Sequence, residues 1–364
     1  MTEREKQVLE IIRKDPMISH NEIARILDIS SNTVAVHISH LLKEGNILGK
    51  AYIVKDDDYF VGIGAANLDL YGKSEIPIRE HYDHPSHIES SVGGVTRNIL
   101  DNLSRLGVRT KLLSAVGDDY FGEIILHQSE KQGIDTSLVK KVKGSSSGIF
   151  MQVLDEKNDM HMALCDMSVI HNIDVSYLKD NDKVLQNAKA IAFDPSLPPS
   201  SVEYLLENYS HKALFLDPVS DLYAERIAPY VDRVFAVKPN TTELAAMTGM
   251  PTGNFKEVKK AAASLIERGV KRVYVSLGKD GCLYIDKDRC VRRKFAEEKK
   301  MVNASGAGDA FFAGIIYGYM EDIGIEETLD HALAAGILTI RSHQVISPDM
   351  STIELENIIK ENKK

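Results

Sequence analysis

From Tyr59 onward, short apolar runs alternate with helical patterns, and this rhythm constrains the fold more than any other feature of the 364-residue chain. Buried strands are expected at Tyr59–Ala66, Arg109–Ala115, Ala190–Asp194, Ala213–Asp217, Arg233–Val237 and Arg272–Leu277. Apolar residues recur at helical spacing near 95–106, 120–132, 199–208, 255–268, 306–321 and 325–341. A strand followed by a helix and another strand pairs in parallel by crossing over the sheet, so helices come to cover both faces. The class implied is α/β with a largely parallel sheet. Two runs, Ser146–Leu154 and Met160–Ser168, break the rhythm and read as a hairpin around Glu156-Lys157-Asn158-Asp159 in a small side sheet.

The first 55 residues follow another pattern. Val8, Leu9, Ile11 and Ile12 form an apolar helical face, started by Thr2 and Glu5 at capping-box spacing. Ser19 and Glu22 repeat that spacing ahead of a second helix, and Asp28-Ile29-Ser30 turns the chain into a third, Ser31–Leu42. Gly45 ends this helix, and Ile47–Val54 alternates as a small β-wing. Three helices and a wing make a winged helix-turn-helix, separated from the rest by Asp56-Asp57-Asp58 as a solvated linker.

Bulk chemistry narrows the function classes. A net charge of −9 argues against the whole molecule being a general polyanion binder. Cys165, Cys282 and Cys290 are scattered without a C-x-x-C, so neither a zinc motif nor a disulfide framework is suggested. Sparse cysteines, a charged amphipathic N-terminus and the lack of a long apolar segment lead to the expectation of a cytoplasmic protein with no membrane partner.

Chemistry concentrates where strands end. Asn303-Ala304-Ser305-Gly306-Ala307-Gly308-Asp309 precedes an apolar helix. Gly306 and Gly308 let the backbone approach a ligand, and a helix N-terminus favours anions. Asp309 beside such an anion hole is placed to take a proton from an attacking hydroxyl. Gly62-Ile63-Gly64-Ala65-Ala66-Asn67 lacks the third glycine of a dinucleotide fingerprint, so a nicotinamide site is disfavoured. Asp69 just beyond suits a diol, since a carboxylate accepts two hydroxyl hydrogen bonds. Gly93 and Gly94 open space for a polyol, and Asn98 offers a donor and an acceptor. Asn240 and Glu243 could hold water around Mg²⁺, although N-x-x-E equally forms a plain helix cap. Ser276, Gly278 and Gly281 could line a phosphate site or form a simple turn.

Taken in order, the glycine pair at Gly93-Gly94 and the closing Gly306-Ala307-Gly308-Asp309 resemble the two signatures of the ribokinase-like (PfkB) carbohydrate kinases over about residues 59–350. The resemblance implies a three-layer α/β/α kinase domain over 59–360, with a small β lid including about 146–168 that often pairs in homodimers. It also implies ATP as co-substrate, Mg²⁺ as cofactor and a sugar or nucleoside as acceptor. Asp309 would be the general base, and Gly306, Ala307 and Gly308 would stabilise the transferring phosphoryl group. Asp69, Gly93, Gly94 and Asn98 would bind the acceptor, Asn240 and Glu243 would organise Mg²⁺ through water, and Ser276, Gly278 and Gly281 would line the ATP site. Within the family, "GAANLDLYG", "GGVTRNILDNLSRLG", Cys165-Asp166-Met167 and Asn303 resemble the pseudouridine kinases. That subgroup implies contacts from Thr96 and Arg97 to the base. Asn303 stands where a monovalent-cation-binding aspartate is usual, which puts K⁺ activation in doubt. The alternatives are another nucleoside or sugar kinase, or a regulator that uses the kinase fold as a ligand sensor.

The segment "IARILDISSNTVAVHISHLLKEGNI" is similar to bacterial winged-helix regulators. The similarity implies that Ser31, Asn32, Thr33, Val36 and His37 face the DNA major groove, with Lys43 and Lys50 near phosphates. Residues 1–55 hold 8 lysines and arginines against 7 acids, so the non-specific electrostatic pull on DNA is weak.

Overall fold

The computed structural model describes residues 1–49, 58–157, 159–296, 298 and 301–363. The chain divides into two compact units, Met1–Asp58 and Tyr59–Lys364. Lys50, most of the expected wing and all but Asp58 of the acidic linker lie outside the described residues.

In the first unit, three helices span Glu3–Lys14, His20–Leu27 and Ser31–Lys43. Both expected capping boxes are present: Glu5 N–H donates to Thr2 Oγ1 at 3.3 Å, and Glu22 N–H to Ser19 Oγ at 3.3 Å, each acid returning to the cap's own N–H. Asp28 turns the chain in the left-handed region at φ 51°, a conformation that Asn and Asp tolerate best among side-chain-bearing residues. Ser30 caps the third helix through Thr33 N–H at 3.0 Å. Val8, Leu9, Ile12, Ile23, Val34, Ile38, Leu41 and Ile47 close a single apolar core.

The second unit is built on a nine-stranded sheet. Its order runs Cys290–Arg293, Cys282–Ile285, Arg272–Ser276, Ala236–Val237, Ala213–Leu216, Ala190–Phe193, Phe60–Ile63, Thr110–Leu113, Ile134–Asp135. The first two are antiparallel to their neighbours and the rest are parallel. Side chains alternate along each strand and feed two separate cores. Val61, Ile63, Ile191, Phe193, Leu214, Leu216 and Val273 face the helices Pro199–Tyr209, Thr241–Thr248 and Phe255–Glu267. Phe60, Leu112, Ala190, Ala192, Phe215 and Tyr274 face the helices Val95–Arg105 and Ala307–Met320. This is the three-layer α/β/α sandwich expected.

The small side sheet is larger than the hairpin alone. Its order is Ser86–Gly93, Asn67–Ser74, Gly148–Leu154, Met160–Asp166. The first expected strand therefore divides: Phe60–Ile63 stays in the main sheet, the chain bends through Gly64–Ala66, and Asn67 opens a strand in the second sheet. Asp69 consequently sits within a strand of the small sheet and not in a loop.

Candidate active site

The C-terminal ends of the parallel strands converge on one polar region, the usual ligand edge of an open α/β sheet. Strand Ala213–Leu216 delivers Asp217, and strand Ala236–Val237 delivers Lys238. Helix Ala307–Met320 begins at Gly306, whose φ of 77° places it in the left-handed region. A Cβ on Gly306 would fall 2.0 Å from the Val345 carbonyl oxygen, so only glycine fits this helix start. No side chain caps the helix; Ala307 N–H makes a long bond to the Ala304 carbonyl at 3.4 Å, and the next N–H groups, of Gly308 and Asp309, are available to an anion.

Asp309 stands in that first turn. Asn98, on helix Val95–Arg105, donates from Nδ2 to Asp309 Oδ2 at 2.9 Å. The Asn98 Oδ1 atom is buried and has no hydrogen-bond partner, an open acceptor beside the carboxylate. Lys238 Nζ pairs with Asp217 Oδ2 at 2.8 Å, both side chains being buried. The ammonium also lies 3.5 Å from where a Gly308 Cβ would be, beside the helix N-terminus.

Electrostatics follow from one cation among three acids. Burial pushes the Asp309 carboxyl up to about 7, with Asp217 adding to the rise, while the Asn98 hydrogen bond and Lys238 oppose it. Burial and Asp217 also raise Glu243. Burial works against the Lys238 ammonium, but Asp217 and then Glu243 more than offset this and hold it above its ordinary value. A carboxylate poised near neutrality suits proton transfer.

The acceptor-side residues form a second group on the small sheet. Asn67 Nδ2 donates to Asp69 Oδ1 at 2.6 Å and Tyr71 Oη to Asp69 Oδ2 at 3.3 Å. Burial raises Asp69 to about 6 against both hydrogen bonds and the nearby Arg97. The glycine pair is explained by packing: a Cβ on Gly93 would lie 2.1 Å from Asp69 Oδ2, and one on Gly94, at φ 101°, 2.4 Å from the Ala65 carbonyl oxygen. Register aligns Ser91, Asp69, Phe150 and Cys165 in one row across the four strands. Neither Ser91 nor Phe150 was expected from the sequence, because only strand pairing brings them beside Asp69.

Other expected residues are engaged within the protein. Thr96 Oγ1 donates to buried Asp194 at 2.9 Å, and Arg97 pairs with Asp101 at 2.7 Å, so both are turned into the fold. Asn240 and Glu243 form a reciprocal capping box on helix Thr241–Thr248, with N–H to oxygen distances of 2.9 and 2.8 Å. Ser276, Gly278 and Gly281 lie at the turn after strand Arg272–Ser276. Asn303 Oδ1 accepts from Ser305 N–H at 2.9 Å, and Nδ2 donates to the His343 carbonyl at 3.4 Å. In the first unit, Asn32, Thr33, Val36 and Lys43 are exposed and Ser31 is half-buried. His37 points toward the first helix, with Nδ1 3.9 Å from Glu5 Oε1. Lys238 and Asp217 were missed as site residues, since each ends a different strand and nothing local marks the pair.

Comparison with known proteins supplies context. The pfkB family of carbohydrate kinases matches residues 57–353, and a winged helix-turn-helix DNA-binding family matches residues 1–47. The uncharacterized sugar kinase YeiI of Escherichia coli (strain K12) is 29% identical, covering 96% of this chain and 97% of its own length. The pseudouridine kinase of the same organism is 28% identical, covering 84% of this chain and 98% of its own length. Arabidopsis thaliana ribokinase, solved with ribose and ATP, superposes with a TM-score of 0.71 at 22% identity, covering 84% of this chain and 99% of that one.

Proposed function

The chain belongs to the pfkB family of carbohydrate kinases, and from that premise we propose that it transfers the γ-phosphoryl group of ATP to pseudouridine, giving pseudouridine 5′-phosphate and ADP. The observation that carries the reading is the Asp309 carboxylate in the first turn of a helix without a side-chain cap, accepting from Asn98 Nδ2 at 2.9 Å; burial, which raises it to about 7, suits it to act as a base. As the acceptor hydroxyl attacks the γ-phosphorus, its proton passes to Asp309 and the bond from phosphorus to the ADP oxygen breaks. The N–H groups of Gly306, Ala307 and Gly308, with the Lys238 ammonium beside them, oppose the charge on the transferring group. Asp69 accepts from the ribose hydroxyls, and the free Asn98 Oδ1 offers one further acceptor. Ser276, Gly278 and Gly281 are assigned to the nucleotide side.

The donor set fits Mg²⁺. Asp217, Glu243 and Asp309 place three carboxyl groups around the single ammonium of Lys238, and Mg²⁺ needs few protein ligands because it keeps its waters. Asn240 and Glu243 would hold it through water, and the ion would neutralise phosphate charge when bound. Asn303 Oδ1 accepts from Ser305 N–H and carries no charge, so the position offers K⁺ less than an aspartate would.

Pseudouridine is favoured by the named relative at 28% identity. The sugar-kinase relative at 29% favours a second reading, a pentose or another nucleoside as acceptor. ADP release by the purified protein with pseudouridine, uridine, adenosine, ribose and fructose separates these. Pseudouridine turnover at least tenfold above the others supports the proposal; ribose as the preferred acceptor replaces it with the second reading.

The helix-turn-helix match supports an added role in DNA binding through Asn32 and Thr33. Binding of the full chain to operator-like DNA, with a sequence preference lost in Asn32→Ala, is expected, and equal binding to all sequences would remove that role. The exposed row Met160, Met162 and Leu164 on the small sheet supports a homodimer, which sedimentation can check.

A further inference from the structure

Helix Ile325–Ile340 carries Glu327 and His331 one turn apart, and the C-terminal helix Thr352–Asn362 packs on it and brings Glu356 opposite. The His331 ring is buried, and its Nδ1 lies 2.9 Å from the Glu327 carbonyl oxygen. A carbonyl only accepts, so Nδ1 carries a proton. On the other side of the ring, Nε2 faces Glu356 Oε1 at 3.3 Å. With Nδ1 protonated, a neutral ring presents its Nε2 lone pair to the carboxylate, and two acceptors confront each other across that gap. Positive charge belongs there.

The surroundings do not supply it from a lysine or arginine. Among the described residues neither Glu327 nor Glu356 pairs with one. The nearby Arg293 and Lys363 are committed to Asp330, at 2.7 and 3.3 Å. The Tyr317 ring packs edge-on against His331, with ring centroids 5.5 Å apart, and helps hold the imidazole in place.

We propose that Glu327, His331 and Glu356 bind one divalent transition-metal ion of the Zn²⁺ type. One ligand atom from each residue lies within 4.8 Å of the other two. The observed 3.3 Å between Nε2 and Oε1 matches the edge of a tetrahedral site, which is roughly 3.3 Å for bonds of about 2.0–2.1 Å. The Nδ1–H bond to a backbone carbonyl is the arrangement that orients a ligating imidazole. Water completes the coordination on the exposed Glu327 side. The ion ties the C-terminal helix to helix Ile325–Ile340, which packs directly on the helix bearing Asp309. The other histidine–carboxylate group, Glu5, His40 and Glu44, differs in kind. His40 turns Nδ1 to Glu5 at 2.7 Å and Nε2 to Glu44 at 3.6 Å, so neither ring nitrogen has the backbone carbonyl partner that orients a ligating imidazole.

The test uses the full chain, stripped with chelator and kept free of ATP, titrated with ZnCl₂ by calorimetry, with the thermal midpoint followed in parallel. Glu356→Gln on the half-exposed helix surface, and separately His331→Gln, should remove one Zn²⁺ equivalent or weaken it by more than the roughly 10- to 100-fold that loss of an outer-shell partner costs. His40→Gln should keep that equivalent. Zn²⁺ should raise the midpoint of the native chain and of His40→Gln, and leave Glu356→Gln unmoved. Equal Zn²⁺ stoichiometry and affinity in the native chain and Glu356→Gln would overturn the site.

Discussion

Acidification provides a quantitative probe of the proposed base, because Asp309 is raised to about 7 where an unperturbed aspartate titrates near 3.8. A base must be ionised to accept the hydroxyl proton. With a midpoint of about 7, about nine-tenths of Asp309 is ionised at pH 8 and about one-tenth at pH 6, so kcat/KM falls about tenfold across that range. Asp69, raised to about 6, adds about another factor of two at pH 6 if acceptor binding also needs its charge, and steepens the fall below it. Two ordinary carboxylates would leave the profile flat between pH 6 and 8. The assay is coupled ADP release at subsaturating acceptor with excess Mg-ATP, with circular dichroism at each pH to exclude unfolding. Asn98→Ala sharpens it. That hydrogen bond, 2.9 Å to Oδ2, favours the charged form, and losing a bond to a charged group worth about 1.5 kcal/mol raises the midpoint by about one unit. The alkaline end of the profile should then recover more than the acid end. A flat native profile, or a limb that ignores Asn98→Ala, would refute the assignment of the raised pKa to the catalytic base.

Two other perturbations follow from the same geometry. Lys238→Met leaves Asp217 buried without its cation, which should cost about 3–5 kcal/mol in urea unfolding; a loss below about 1 kcal/mol would mean the pair contributes little. Gly93→Ala drives a methyl to within 2.1 Å of Asp69 Oδ2, so the carboxylate must move and acceptor kcat/KM should fall on the order of 100-fold, with ATP affinity unchanged. An unchanged acceptor kcat/KM would place the acceptor away from Asp69.

How far the sequence anticipates the molecule depends on whether a feature is local. Thr2 with Glu5 and Ser19 with Glu22 sit three residues apart, and the capping boxes they form need nothing from the rest of the chain. The six helical patterns of the second unit match observed helices closely because amphipathic periodicity is a property of one segment. Strand Ser86–Gly93 carries no such mark: its residues are largely polar and exposed, and its place comes from pairing with Asn67–Ser74. The two short helices Val175–Asp180 and Asp182–Asn187 are too brief for a readable period. Within the site, Gly306 through Asp309 is contiguous and legible. The Asp217–Lys238 ion pair joins the ends of two neighbouring strands, and Thr96 turns to Asp194, 98 positions away in the chain. Such contacts exist only once the sheet order is known.

The central claim, that Asp309 removes the proton from the acceptor hydroxyl during transfer from ATP, is tested most directly by Asp309→Asn. Asparagine keeps the size and the ability to accept from Asn98 but cannot take up a proton. Phosphorylated acceptor should be measured under saturating ATP and acceptor, by single-turnover quench and phosphorus NMR. A kcat reduced by about 10²- to 10⁴-fold with little change in KM is the predicted result. A variant that phosphorylates at the native rate would contradict the account.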